Sequence, residues 1–199
     1  INTNQLKGYL VTTWYPESYN TYKQMACDIT AGRLEPCKDS VGGIIAIYIS
    51  NYTTGLLNTA TFVDEEVTGF ASPLTFYKYD LKGANSFEQT NENSRENGTS
   101  FWTQTGTIVL KKQDNATRKE MKLLSYGRPQ IIIEDYNGKF YLAGIENGCE
   151  VAANTATGAA MGDLNGYNVT FTGTEKTPAN FVAFAAMVTA ADIIVVLGS

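Results

Sequence analysis

Residues 130–145 read QIIIEDYNGKFYLAGI, two runs of strand-forming residues joined by Asn137-Gly138. Asn-Gly between β-rich runs is the strongest short hairpin signal, because a type I′ turn needs positive φ at both central residues. The sequence therefore predicts an antiparallel hairpin whose strands are Gln130–Tyr136 and Lys139–Ile145.

A strand and a helix precede this hairpin. Residues 101–112 (FWTQTGTIVLKK) are rich in β-branched and aromatic residues, as half-buried strands are. Residues 116–126 (ATRKEMKLLSY) show one apolar face at helical spacing; Asp114 or Asn115 can cap the helix start, and Gly127 marks its end. One helix laid across an antiparallel sheet is the predicted nucleus of the fold.

Further strands are predicted on both sides of this central block. They cover Ile44–Asn51, Phe62–Val67, Leu74–Leu81 and Tyr167–Gly173, and the apolar run Phe181–Leu197 is interpreted as one or two buried strands broken near residues 190–192. Residues 1–22 are expected to be extended, 25–43 to form a loop and 151–160 to be irregular. Eight to ten strands and one helix predict a mainly β fold: two packed antiparallel sheets, a β-sandwich, or a barrel, with the helix on one flank.

The most polar part of the chain is residues 82–100, where Ala84 and Phe87 are the apolar residues. A polar insertion of this length predicts a solvated loop or an arm that becomes ordered on assembly. No Pro-rich, Gly/Ser-rich or charged linker divides the sequence, which favours a single domain over residues 1–199.

Composition narrows the classes of function. Of 199 residues, 43% are hydrophobic and 18% charged, which is typical of a globular protein. The net charge of −5, with acids spread along the chain, indicates no basic surface that would grip the phosphates of a nucleic acid. No run of residues is apolar and long enough for a membrane span, and the start INTNQLKGYL does not show the pattern of a signal peptide.

The chain contains no histidine, the commonest general base, metal ligand and triad member. We therefore predict no catalytic residue, no cofactor and no metal site, although a carboxylate or lysine mechanism stays open. Three cysteines without a CxxC pair argue against a zinc site and a full disulfide framework. Cys27 and Cys37 either pair in an oxidising setting or remain thiols.

Several groups of polar residues have the chemistry of a binding or catalytic site. Oxygen ligands for calcium could come from Asp163, Asn165, Asn168 and Glu175, but their spacing misses the helix–loop–helix pattern, and a turn explains the same residues. The adjacent carboxylates Glu65-Glu66 and Glu134-Asp135 point to opposite faces of a strand, so neither pair makes a glycosidase site. The remaining patterns are interpreted as loop glycines at Gly158, Gly162 and Gly166, and as chance glycosylation sequons at Asn51, Asn97, Asn115 and Asn168.

Three stretches together carry a family resemblance. They are residues 29–52 (ITAGRLEPCKDSVGGIIAIYISNY), 116–148 (ATRKEMKLLSYGRPQIIIEDYNGKFYLAGIENG) and 158–181 (GAAMGDLNGYNVTFTGTEKTPANF). In pattern and order the chain resembles tail tube proteins of tailed bacteriophages, in particular phages and prophages of Bacteroidetes-like hosts. The resemblance implies a structural, non-enzymatic virion protein whose hexameric rings stack into the tail tube, a conduit for DNA ejection. It also implies assembly in the bacterial cytoplasm and contacts with a terminator and a baseplate, and with a sheath if one surrounds the tube.

The resemblance also implies positions in the tube. Residues 101–112 and 130–145 would help to build the inner sheet, the helix 116–126 would lie outside or at the subunit boundary, and the arm 82–99 would order against the neighbouring ring. Ring closure would pair sheet edges that are otherwise exposed, and an acidic lumen would repel a passing DNA backbone. The alternatives are another virion part (terminator, connector or capsid decoration protein) and a β-sandwich module that binds sugar or a host surface through Tyr and Trp.

Overall fold

The computed structural model describes residues 31–198. The chain divides into two compact units, Ile1–Lys38 and Asp39–Ser199. Of the first unit, only residues 31–38 are described, and they form neither helix nor strand. The predictions for residues 1–30 lie outside the described part, and the single-domain organisation stays a prediction.

The described residues of the second unit form twelve strands and three helices, a mainly β protein as predicted. The strands are β1 Ile44–Ser50, β2 Thr61–Val63, β3 Glu66–Gly69, β4 Leu74–Asp80, β5 Ser86–Ser94, β6 Thr99–Lys111, β7 Gln130–Asp135, β8 Phe140–Ala143, β9 Cys149–Ala156, β10 Gly166–Glu175, β11 Asn180–Phe181 and β12 Ile193–Val196. The helices are α1 Leu56–Thr59, α2 Asn115–Leu124 and α3 Phe184–Thr189. None of the described helices is long and apolar enough to span a bilayer.

The central layer is a six-stranded sheet in the order β11-β8-β7-β1-β4-β12, antiparallel except for the parallel pair β4–β12. Both of its faces are covered, so Ile131, Ile132 and Ile133 of β7 are all buried. In β1 the pairing with β7 shifts between Ile44 and Ala46. This β-bulge keeps Ile44 in the same core cluster as the odd-numbered residues that follow it.

A four-stranded antiparallel sheet, in the order β5-β6-β10-β9, packs on one face of the central sheet. Ile49 and Ile131 of the central sheet share this core with Ile108, Val169 and Phe171 of the four-stranded sheet. The predicted pair of packed antiparallel sheets is therefore confirmed. Neither sheet closes on itself within residues 31–198, so the open sandwich, and not the barrel, is the form observed.

The other face of the central sheet carries a second core, made with α1, β3 and α3. Tyr48 and Phe140 of the sheet pack on Phe184 of α3, with ring centroids 4.6 and 4.5 Å from it. Leu56 of α1 and Val67 of β3 are buried in the same cluster. Both faces of the central sheet are thus covered, whereas no described helix or strand packs on the outer face of the four-stranded sheet.

The predicted helix is confirmed as α2, and Asp114 is its N-cap: the Asp114 carboxylate accepts from the backbone N–H of Thr117 at 2.7 Å. The prediction of a single helix was wrong, because α1 and α3 are also helical. The C-terminal run was expected to consist of strands. Instead, its first part forms α3, and β12 is its only strand longer than two residues in the described part of the chain. The predicted break is present at Ala190–Asp192, where Ala191 has φ 63°.

Three strand predictions need correction. Residues 62–67 form a hairpin, since Asp64 (φ 48°) and Glu65 (φ 65°) make a tight turn between β2 and β3. The prediction of irregular structure for residues 151–160 was wrong for 151–156, which belong to β9 and pair along β10, and it is confirmed for 157–160. The polar residues 82–100 are not one loop either, since 86–94 form β5 and 99–100 begin β6, with which β5 pairs in register. Pairing with β6 satisfies the backbone groups on one side of β5, and alternate polar side chains of β5 face solvent.

The predicted hairpin between β7 and β8 is confirmed, but its turn is not type I′. Gly138 has φ 72°, while Asn137 stays outside the positive-φ region. The N–H of Gly138 donates to the carbonyl of Asp135 at 3.2 Å, and the Asp135 carboxylate accepts from the N–H groups of Asn137 and Lys139 at 2.9 and 2.7 Å. This pattern is a type I turn followed by a glycine bulge, fixed by the Asp135 side chain.

Residues 101–112 and 130–145 do not share one sheet, as the resemblance implied they would. β6 lies in the four-stranded sheet, whereas β7 and β8 lie in the six-stranded sheet. If the four-stranded sheet forms the inner sheet of a tube, β6 can belong to it, whereas β7 and β8 cannot.

Candidate assembly surface

The outer face of the four-stranded sheet is rich in threonine. Side chains alternate along a strand, and Gln104, Gly106 and Ile108 of β6 are buried, so the odd-numbered residues of β6 point outward. The same reasoning applies to β5, β9 and β10. We call this outer surface the threonine face, after its eight threonines: Thr90, Thr99, Thr103, Thr105, Thr107, Thr170, Thr172 and Thr174.

Threonines on this face lie opposite one another across strands. Thr105 pairs with Thr172 in the register of β6 and β10, and the neighbouring Thr103–Thr174 and Thr107–Thr170 pairs repeat the pattern. The acids of the face are Glu88, Glu92 and Glu150, and among the described residues of the face Lys111, at its edge, is the basic one. The surface is therefore an array of hydroxyls with negative charge.

Both edges of the four-stranded sheet are unpaired within the described residues, because β5 and β9 each have one partner strand. In an antiparallel sheet of four strands the two outermost strands run in opposite directions. Consequently, β9 of one copy placed beside β5 of an identical, rotated copy would form an antiparallel pair. Exposed edges of this kind pair readily with another chain.

At one end of the sheet, the β5–β6 hairpin extends past its neighbour. The last pair between β6 and β10 is Trp102 with Glu175, but β5 and β6 continue to pair as far as Ser94 with Thr99. We call residues 92–101 the hairpin end. It extends about 10 Å beyond β10, at about 3.3 Å per residue.

At the opposite end of β6 lies a basic depression. A cavity of about 240 Å³ is lined by Lys82, Lys111 and Lys112 together with Asp80 and Asp114. The three lysines, which we call the lysine cleft, form no salt bridge with any described residue. The two acids have other partners: Asp80 pairs with Lys78 at 3.0 Å, and Asp114 caps α2.

The sequence predicted no basic surface, and here the structure differs. Residues 111–128 contain six Lys or Arg and only two acids, although the whole chain has a net charge of −5. Most of these bases lie on the exposed side of α2 or beside the cleft. Net charge therefore did not reveal the local concentration of positive charge at this end of the protein.

The residues considered for calcium are not brought together. Asp163 accepts from the backbone N–H groups of Ala159 and Ala160 at 2.8 Å each, and these bonds lower the pKa of its carboxyl. Glu175 lies at the far end of β10, about 30 Å away at 3.3 Å per residue. No three acidic or cysteine side chains within residues 31–198 form a cluster that could hold a metal ion.

Glu175 is a buried structural acceptor. One of its carboxylate oxygens accepts from the N–H groups of Glu146 and Asn147, at 3.1 and 2.8 Å. Burial raises the pKa of Glu175, and burial likewise raises the pKa of the Cys149 thiol to about 12. Cys149 is therefore a packing residue with little thiolate at neutral pH. Whether Cys27 and Cys37 pair stays a prediction, since Cys27 lies outside the described residues.

The other candidates have local structural roles. Glu134 accepts from the hydroxyl of Tyr48 at 2.7 Å, whereas Asp135 serves the turn, so this adjacent pair is divided as predicted. Asn115 is the first residue of α2 and not its cap. The remaining sequon asparagines Asn51, Asn97 and Asn168 are exposed, as are Gly158 and Gly162, whereas Gly166 is buried against the carbonyl of Leu110.

Comparison with protein-family models, curated proteins and solved structures finds no match for this chain. The threonine face is the feature that the sequence reasoning missed. Its signal is the alternation Thr103-x-Thr105-x-Thr107 and Thr170-x-Thr172-x-Thr174, which places the hydroxyls of each run on one side of a strand.

Proposed function

We propose that the protein is a structural subunit of a bacteriophage tail tube, which assembles in the bacterial cytoplasm and remains in the virion as the conduit for DNA. Identical copies form rings, with six-fold symmetry as the family resemblance implies, and the rings stack. In this proposal the terminator, baseplate and any sheath bind the finished tube, and DNA passes through the lumen without specific binding.

One observation carries the proposal: within residues 31–198, the four-stranded sheet has two open edges that run in opposite directions. Rotated copies can therefore continue the sheet from β9 to β5 without changing its antiparallel pattern, and a closed ring would leave no edge unpaired. An even number of strands in each subunit is what makes this continuation possible in every copy.

The dimensions support a conduit. Six copies would contribute about 24 strands, and at about 4.8 Å between strands they would close into a ring at least about 37 Å across between backbones. Side chains directed inward would leave a lumen of about 25 Å, wider than a DNA duplex.

The threonine face has the chemistry expected of the lumen wall. Its hydroxyls hold water at the surface, and Glu88, Glu92 and Glu150 repel phosphates instead of binding them. The six-stranded sheet cannot supply this wall, because both of its faces are covered by packed side chains.

Cysteine cross-linking tests the β9–β5 contact. In a Cys27→Ser, Cys37→Ser background, Thr90→Cys on β5 is combined in turn with Glu150→Cys, Ala152→Cys or Asn154→Cys on β9. Residues opposite each other in neighbouring strands lie close enough for a disulfide. Oxidation of assembled protein should give, for the matching register, a ladder of covalent oligomers that ends at the closed ring.

The matched control combines Thr90→Cys with Ala185→Cys, an exposed position on α3 in the opposite layer. It should give no ladder. Negative-stain images of the uncross-linked protein should show rings or hollow tubes. Monomers at all concentrations, with no ladder in any register, would disprove the proposed function.

A specific groove favours a second candidate, recognition of sugars. A cavity of about 350 Å³ beside α2 is lined by Tyr52, Tyr77 and Tyr79, and the guanidinium of Arg128 lies 5.0 Å from the ring centre of Tyr52. Aromatic rings with a nearby polar group suit a carbohydrate. A glycan-dependent rise in melting temperature of a stable monomer, abolished by Tyr77→Ala, would favour this module over the tube.

A further inference from the structure

We propose that the hairpin end of one copy binds the lysine cleft of a copy in the next ring, so that stacking is driven by opposite charges at the two ends of the subunit. This inference rests on the proposed tube and names its ring-to-ring contact.

The lysine cleft is a surface that needs an acidic partner. Lys82, Lys111 and Lys112 line the cavity and form no salt bridge among the described residues, while the two acids beside them, Asp80 and Asp114, have other partners. Arg118 and Lys119, exposed on α2, add to the positive potential at the same end. Such a concentration of like charge is unfavourable until a negative partner approaches.

The hairpin end provides that partner. Glu92 and Glu96 are exposed there, Glu88 lies further along the same side of β5, and Arg95 is the one base of the hairpin end. Exposed amides of Asn93 and Asn97 offer hydrogen bonds at the same site. Charge complementarity of this kind determines register and orientation in an interface more than it determines affinity.

The positions of the two surfaces point to another copy. β6 runs from Thr99 in the hairpin end to Lys111 in the cleft, about 40 Å at 3.3 Å per residue, so the hairpin end cannot reach the cleft of its own subunit. Different surfaces at opposite ends of one molecule form a heterologous contact, which repeats without closing and produces a filament. Rings stacked in this way form a tube of unlimited length.

Charge reversal with complementation tests the contact. Glu92→Lys with Glu96→Lys should leave single rings but raise the protein concentration needed for tubes by at least tenfold. Lys111→Glu with Lys112→Glu should do the same. A variant carrying all four substitutions should again form tubes, because the charges are exchanged but still opposite. Tube length is measured by negative stain and ring mass by light scattering.

The matched control is Asp64→Lys with Glu65→Lys, an equal change of charge at the exposed β2–β3 turn, and it should stack like the original protein. Unfolding curves of all variants check that each subunit is folded. Tubes of normal length from the Glu92/Glu96 variant, or failure of the fourfold variant to recover while its rings persist, would overturn this contact and leave the proposed tube intact. Absence of rings in the original protein would instead overturn the proposed function.

Discussion

Gly106 lies directly beneath the ring of Phe171, its cross-strand partner in the four-stranded sheet. A Cβ built at residue 106 would lie 2.0 Å from the Phe171 ring, and this ring is buried and stacked on Phe87 with centroids 6.2 Å apart. Gly106→Ala should therefore lower the free energy of unfolding by about 2 kcal/mol or more, as overpacking a core does. Urea unfolding measures the loss. Combined with Phe171→Leu the two effects should be less than additive; strict additivity would contradict the contact.

Glu175 makes stability depend on pH. Its folded pKa is raised, so the protonated form is favoured on folding, and this contribution is full below the unfolded pKa of about 4.3 and lost as pH rises through the higher folded pKa. Glu175→Gln keeps an oxygen for the N–H groups of Glu146 and Asn147 but carries no charge. Its stability relative to the original protein should rise between pH 4 and pH 7 in urea unfolding.

The control for this prediction is Glu175→Ala, which leaves both N–H groups without an acceptor. It should be about 1–3 kcal/mol less stable than Glu175→Gln at every pH, since neither variant has a side chain that titrates at residue 175. If the free energy of unfolding changes with pH equally in Glu175→Gln and in the original protein, the burial of this carboxyl does not govern the pH dependence of stability.

Local signals were sufficient for some elements and not for others. The Asn137-Gly138 hairpin, the capped helix α2 and the alternating strand β10 were predicted correctly, because each is determined by residues within its own segment. β5 and β9 were missed, since their composition is polar or small and their strand state depends on pairing with β6 and β10. The sequence of α3 predicts a strand as readily as a helix, because a short apolar run fits either structure.

The candidate assembly surface also combines features that the local sequence predicts with features that depend on the packing of distant segments. Alternation predicts which residues of β6 share a face, but not which face is covered, since that depends on the layer packed against it. The lysine cleft joins Lys82 to Lys111, residues far apart in the sequence, so only the register of β5 and β6 brings them together. A count of charges along the sequence does not show that these lysines lie together in the folded protein.

The helix α2 is attached to the first core chiefly through Met121, its one buried residue, with Leu124 packed beside it. Met121→Ala should cost about 2–5 kcal/mol, as other truncations of buried methionine do, and should release α2 before the sheets unfold. Limited trypsin digestion measures the release, because Arg118, Lys119 and Lys122 then become cleavable. Leu123→Ala, at an exposed position of the same helix, is the control and should digest at the original rate.

For the whole molecule, the threonine face determines how a tube would treat DNA. Thr105 and Thr172 are opposite each other on the two middle strands, so replacing both by lysine adds positive charge to the face without altering the edges β5 and β9. Tubes of Thr105→Lys with Thr172→Lys should retain short duplex DNA at low salt and release it as salt rises, with a log–log slope of about −0.9 for each phosphate neutralised. Tubes of the original protein should retain none, because hydroxyls and carboxylates offer phosphates no attraction.

Fluorescence of labelled DNA that sediments with the tubes measures retention. The control is Asp64→Lys with Glu65→Lys, which places the same kind of charge away from this face. Only a face that lines the lumen can surround the duplex and contact it from all sides. If the control variant retains as much DNA as the lysine variant, the threonine face lies on the outside of the tube.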